Sequence, residues 1–148
     1  MTETSALLGL FLSAFLAATL VPAQSELGLG YLVINTNYSM LLLVMVASFG
    51  NTTGATINWL IGQGIAKSAM RLEKVEASPR LLNIISWYKR YGQWTLLLSW
   101  APIIGDPITL IAGILKVPFK TFFLIVALAK TSRYILIAIF AEKLTLGP

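Results

Sequence analysis

Two of the four apolar blocks in this 148-residue chain are interrupted by residues that break helices. That limits the possible folds more than any other feature. In hydrocarbon every backbone N–H and C=O needs a partner within the protein, so a broken segment is tolerated only where it is buried or lines a wet cavity. The blocks run over residues 6–34, 40–66, 94–115 and 118–141. The first contains VPAQSELGLG, with Pro22, Gln24, Ser25, Glu26, Gly28 and Gly30. The third contains APIIGDP, with Pro102, Gly105, Asp106 and Pro107. At 29 residues the first block is too long for one span, which needs about 20 residues, and too short for two. Half of it as helix reaches roughly 21 Å, so it reads as a re-entrant hairpin. The third block is long enough to span. Its two prolines, however, each lack an N–H and clash with the preceding turn, so it reads as a second broken hairpin, with a Pro-kinked full span as the alternative.

Blocks two and four are uninterrupted and read as transmembrane helices. In block two Gly50 and Gly54 form a small-xxx-small pair suited to close helix packing. A broken hairpin followed by a span occurs twice, which suggests a pseudo-inverted repeat like those of transporters. Only 11% of residues are charged and 57% are hydrophobic, against about 25% charged in a typical soluble domain. The fold class is therefore an all-α integral membrane protein: two re-entrant hairpins, two spans and one membrane domain over residues 1–148. The N-terminal MTETS has no Lys or Arg, unlike the n-region of a cleaved signal peptide.

Six of the eleven basic residues fall between Lys67 and Arg90. Beside so much apolar sequence this marks a cytoplasmic loop near anionic headgroups, not a nucleic-acid site. With both hairpins re-entrant, Lys116 and Lys120 share that face and the termini lie outside. Within 67–92, Leu81, Leu82, Ile85, Trp87 and Tyr88 recur at near-helical spacing, as in an amphipathic cytoplasmic helix. The other Trp and Tyr residues read mainly as interface anchors.

Four ionisable residues lie inside apolar blocks: Glu26, Asp106, Lys130 and Arg133. Each costs about 2.5–3.5 kcal/mol at a span's centre, about 10 kcal/mol for four, which rivals a domain's stability. They must be paired or wet. One reading is structural ion pairs. The other is a polar midplane site in which Glu26 and Asp106 are proton-sensitive and Lys130 and Arg133, three apart on one helix face, hold an anion. Arg133 is the expected counter-charge of Asp106, with Lys130 second. Pro102 is expected to end the entering helix and Pro107 to sit in the first turn of the returning one, with Asp106 capping its free N–H groups. Pro22, Ser25, Asn51, Thr53, Ser99, Pro102, Gly105 and Pro107 are candidate cavity-lining or chain-breaking residues. The chain has no Cys and no His, which removes disulfides, thiolate and imidazole metal sites, and the commonest nucleophile and base. No metal or cofactor site and no nucleophile–base pair is visible, so no enzyme activity is expected.

Three stretches, PAQSELGLGYLV, GNTTGATINWLIGQ and RYGQWTLLLSWAPIIGDPITLIAG, together resemble the DedA superfamily, whose shared region is the VTT or SNARE-associated domain, and within it the short YqaA-type branch. The resemblance rests on Pro22, Ser25 and Glu26; on Gly50, Gly54, Trp59 and Gly62; and on Trp100, Pro102, Ala112 and Gly113. It covers about residues 10–140. Ala55 stands where many members have Asp, and Ser99 and Asp106 stand near positions where many have Arg. The resemblance implies two facing re-entrant loops in the cytoplasmic (inner) membrane and multi-pass topology. It also implies transport or scrambling of an anionic lipid, undecaprenyl phosphate or a phospholipid, in some members linked to protons. A headgroup would enter a polar groove between the hairpins. The rival readings are a proton-coupled solute or ion antiporter and a non-transporting membrane scaffold. A homo-oligomer is compatible with all three.

Overall fold

The computed structural model describes residues 3–19, 24–72, 83, 86, 90–102 and 104–145. Among these, five α-helices and one 3₁₀ helix are delimited, and no strand occurs. The helices are α1 (Glu3–Ala17), α2 (Gln24–Asn35), α3 (Met40–Leu72), the 3₁₀ helix (Gly92–Trp100), α4 (Gly105–Ile114) and α5 (Phe119–Thr145). Both expected breaks are present: one separates α1 from α2, the other the 3₁₀ helix from α4. Two helices are long and apolar enough to cross a membrane, Met40–Ser68 within α3 and Phe119–Leu144 within α5.

The chain divides into two compact units, Met1–Gly54 with Lys130–Pro148, and Ala55–Ala129. Both α3 and α5 run through the division. In the first unit α1 and α2 pack on each other, with Gly28 over Leu10 and Ser13. Leu10, Ala14, Leu29, Leu32, Leu43, Val44, Ala47, Tyr134 and Ala138 form its core. Gly50 and Gly54 let α1 approach α3, as their spacing suggests. A Cβ at Gly50 would lie 2.5 Å from the Phe11 carbonyl oxygen, and one at Gly54 2.5 Å from that of Phe15. Only a residue without a side chain admits a backbone that close.

In the second unit the 3₁₀ helix packs on α4. Its core includes Ala55, Trp59, Leu96, Ile108, Ala112, Val117, Phe122 and Val126. Trp59 departs from the interface-anchor expectation. It is buried, its Nε1–H donates to the Val117 carbonyl at 3.2 Å, and its ring lies 5.3 Å from Phe119 and 5.7 Å from Phe122. Gly62 and Gly113 face each other where α3 meets α4. Helix α4 ends in a Schellman motif: Lys116 N–H bonds the Gly113 carbonyl and Val117 N–H that of Ala112, both at 3.0 Å. The left-handed position, usually glycine, is held by Lys116 at φ 57°.

Helix α3 contains the expected span over residues 40–66 within its apolar stretch Met40–Ser68 and continues as helix through Leu72. Of the expected amphipathic segment 67–92, the part from 73 to 89 lies outside the described residues except for positions 83 and 86, which are helical.

Candidate functional site

The first unit contains a buried polar core built from three helices. Helix α5 supplies Lys130, Arg133 and Tyr134, which share a face because they are spaced i, i+3 and i+4. On α5 the buried positions Phe122, Val126, Ala129, Lys130, Tyr134, Ala138 and Ala141 follow one helical stripe, three or four residues apart except for the adjacent pair Ala129 and Lys130. Lys130 and Tyr134 thus lie on the inward stripe, and Arg133 at its margin. Helix α3 supplies Asn51 from its own inward stripe, and α2 supplies Ser25 and Glu26 from its first turn.

Asn51 joins the two halves of this core. Its side-chain carbonyl accepts a hydrogen bond from the Lys130 ammonium. Its amide Nδ2–H donates to the Tyr134 hydroxyl at 2.9 Å. That hydroxyl also shares a 2.8 Å hydrogen bond with Ser25 Oγ. Since it accepts from Asn51, Tyr134 has its own proton to offer Ser25. Ser25, Asn51, Lys130 and Tyr134 are all at most 4% exposed. Beside them Arg133 forms an ion pair with Glu26, and these side chains keep 15% and 26% of their exposure. The core is therefore closed at Lys130 and partly open at the ion pair. Glu26, in the first turn of α2, also meets the positive end of that helix dipole.

The acid that Arg133 pairs with in this core is Glu26, a pairing between helices that the spacing along the sequence does not show. The tyrosine was missed as a site residue because the aromatics were read as interface anchors. The signal was its i+4 spacing from Lys130.

The remaining candidates divide among different environments. Asp106 is half-buried in the first turn of α4. It stands near the N-terminus of that helix as expected, where the helix dipole favours a carboxylate; the N-cap residue itself is Ile104. The Thr109 hydroxyl donates to the Asp106 backbone carbonyl at 2.7 Å, and Asn58 Nδ2 lies 3.5 Å from Thr109 Oγ1. Pro107 sits in the first turn of α4 as expected. Pro102 follows Ala101, whose extended backbone (φ −73°, ψ 133°) ends the 3₁₀ helix, the conformation a following proline favours. Gly105 packs on the Ser99 backbone. Ser99 is buried and its hydroxyl has no hydrogen-bond partner. Thr53 Oγ1 donates to the Phe49 carbonyl of its own helix at 2.7 Å and takes no part in the Asn51 network. Pro22 lies outside the described residues. Among the described residues no three His, Cys, Asp or Glu side chains are grouped to hold a metal ion.

Long apolar helices, paired short helices and a charged buried core define the class: a helical integral membrane protein. The chain belongs to the VTT-domain (DedA) family, whose match covers residues 5–143. It is 34% identical over 140 residues to the inner membrane protein YqaA of Escherichia coli (strain K12), covering 93% of this chain and 92% of that one. It is also 34% identical to an uncharacterized protein of Haemophilus influenzae, with 90% and 85% covered, and 26% identical to protein RP436 of Rickettsia prowazekii, with 84% and 89% covered. No solved structure matches. The protein is accordingly a multi-pass protein of the inner membrane, in a family often linked to membrane transport.

Proposed function

We propose that this protein carries an anionic lipid across the bilayer, the headgroup engaging Arg133 and the polar core around Asn51 while the acyl chains stay in lipid. The observation that carries this reading is the partly exposed Glu26–Arg133 ion pair beside the buried Lys130–Asn51–Tyr134–Ser25 network. Buried ion pairs are poor stabilisers compared with apolar packing, so a purely structural role is the weaker account. A phosphate matches the planar guanidinium as well as a carboxylate does. It would displace Glu26 and take its place on Arg133. Protonation of the displaced Glu26 would ease that exchange and give proton linkage. Asp106, in the first turn of α4, is the second proposed proton-sensitive carboxylate. No bond in the lipid is changed. The short paired helices are proposed to be re-entrant.

The test is a flipping assay in proteoliposomes with labelled phosphatidylglycerol and, separately, undecaprenyl phosphate. Arg133→Gln should reduce flipping at least tenfold. Glu26→Gln and Asp106→Asn should each slow turnover and weaken its pH dependence, and the double variant should lose that dependence. All variants should reach the membrane in near-normal amounts. Full flipping by Arg133→Gln would sink the proposal. Proton-coupled ion flux without lipid movement would favour an antiporter. Inactivity in both assays, with restored folding in the Glu26→Gln/Arg133→Gln double variant, would favour a scaffold.

A further inference from the structure

A second feature, in the unit formed by residues 55–129, points to a lipid that stays bound. A cavity of about 260 Å³ opens beside the 3₁₀ helix, lined by Tyr91, Trp94, Thr95 and Leu98. Its walls are almost wholly apolar. Thr95 is 4% exposed, yet its hydroxyl has no hydrogen-bond partner. A buried hydroxyl left unpaired costs about 1–3 kcal/mol, and Thr95 is one of the residues that line the cavity. The Arg90 guanidinium lies 5.6 Å from the centre of the ring of Tyr91, one of the lining residues. Trp94 is 67% exposed and Tyr91 53%. Exposed Trp and Tyr beside Arg mark the headgroup level of a membrane protein.

The spacing along the chain fits one occupant. A 3₁₀ helix rises about 2.0 Å per residue, so Thr95 lies roughly 10 Å along the chain from Arg90. The polar zone on each side of the hydrocarbon is about 5–8 Å deep. For a helix tilted by about 40° from the normal, that 10 Å projects onto about 8 Å of depth, so Arg90 would sit among phosphates, Thr95 at the ester carbonyls and Leu98 at the start of the acyl chains. We infer that this cavity binds one diacyl phospholipid: its anionic phosphate lies at Arg90, an ester carbonyl accepts the Thr95 hydroxyl proton, and an acyl chain runs past Trp94 and Leu98. This resident site is independent of the transport reading, because it uses none of the residues of the Asn51 core.

Native mass spectrometry of the full chain in detergent tests it, with diester phosphatidylglycerol, dialkyl-ether phosphatidylglycerol and diester phosphatidylcholine as probes. The wild type should retain one diester phosphatidylglycerol about fivefold more strongly than the diether analogue, the effect of one hydrogen bond. Thr95→Val, which keeps the side-chain shape, should erase that difference. Arg90→Gln should reduce the preference for phosphatidylglycerol over phosphatidylcholine. Leu98→Trp should fill the cavity and weaken both phosphatidylglycerols at least fivefold while helicity by circular dichroism is kept. Equal retention of diester and diether lipids by the wild type would overturn the proposal, and so would a diester preference that survives in Thr95→Val. Because binding is read without transport, failure here leaves the flipping prediction standing, and the reverse also holds.

Discussion

At the scale of single residues, Asn51 and Tyr134 help to keep a lysine at the centre of an apolar helix. Lys130 is 3% exposed, and the Asn51 carbonyl that accepts its proton is oriented by its own amide bond to Tyr134. Tyr134→Phe removes the hydroxyl that serves both Asn51 and Ser25 and leaves two buried polar groups short of a partner. It should destabilise the protein by about 1–3 kcal/mol, read from thermal unfolding in detergent, with little change in helix content. Ser25→Ala, which removes only one of the two bonds to that hydroxyl, should cost less than Tyr134→Phe. Much of this site could be read from the sequence: charges in hydrocarbon must be paired or wet, which singled out Glu26, Lys130 and Arg133. Tyr134 escaped because a tyrosine in a membrane helix suits the interface as well as the core. The partner of Arg133 escaped because pairing between helices depends on packing, which helical spacing does not encode.

At the scale of elements, glycines in the same helix have opposite roles. A side chain at Gly50 meets the α1 backbone at 2.5 Å, whereas one at Gly64 meets nothing within 4 Å. Gly50→Ala should therefore force α1 away and cost about 1–3 kcal/mol, the usual penalty of overpacking. Gly64→Ala should be neutral or stabilising by up to about 1 kcal/mol, from helix propensity alone. The two unfolding midpoints in detergent should move in opposite directions, or only the first should move. The small-xxx-small spacing of Gly50 and Gly54 was legible, and so were the breaks at Pro102 and Pro107, because proline's effect is local. The end of α4 was not legible as a Schellman motif, since Lys116 holds the position where glycine is usual. Nor was the nine-residue 3₁₀ helix, because runs beyond three or four residues are uncommon and its sequence suits an α-helix equally well.

At the scale of the whole molecule, helix length sets how far each segment can reach through a bilayer. At 1.5 Å per residue, the 15 residues of α1 and 12 of α2 reach about 22 and 18 Å. The nine-residue 3₁₀ helix and ten-residue α4 reach about 18 and 15 Å. None matches the roughly 30 Å hydrocarbon core, whereas the 33 residues of α3 and 27 of α5 exceed it. Since α1 and α2 lie side by side, these lengths support the proposal that the first pair enters and returns on the same side. The basic cluster between Lys67 and Arg90 then fixes the orientation through the positive-inside rule. The chain has no cysteine of its own, so single cysteines report each position without background. Placed at Thr4, Asn37 and Lys143, all exposed, they should react with an impermeant maleimide from outside intact spheroplasts. Placed at Lys67 and Lys116, also exposed, they should react only after permeabilisation. Labelling of Thr4 and Asn37 from opposite faces would make the first pair a full span, since one crossing between them is the only way to separate them. Labelling of Lys67 and Lys116 from opposite faces would do the same for the second pair.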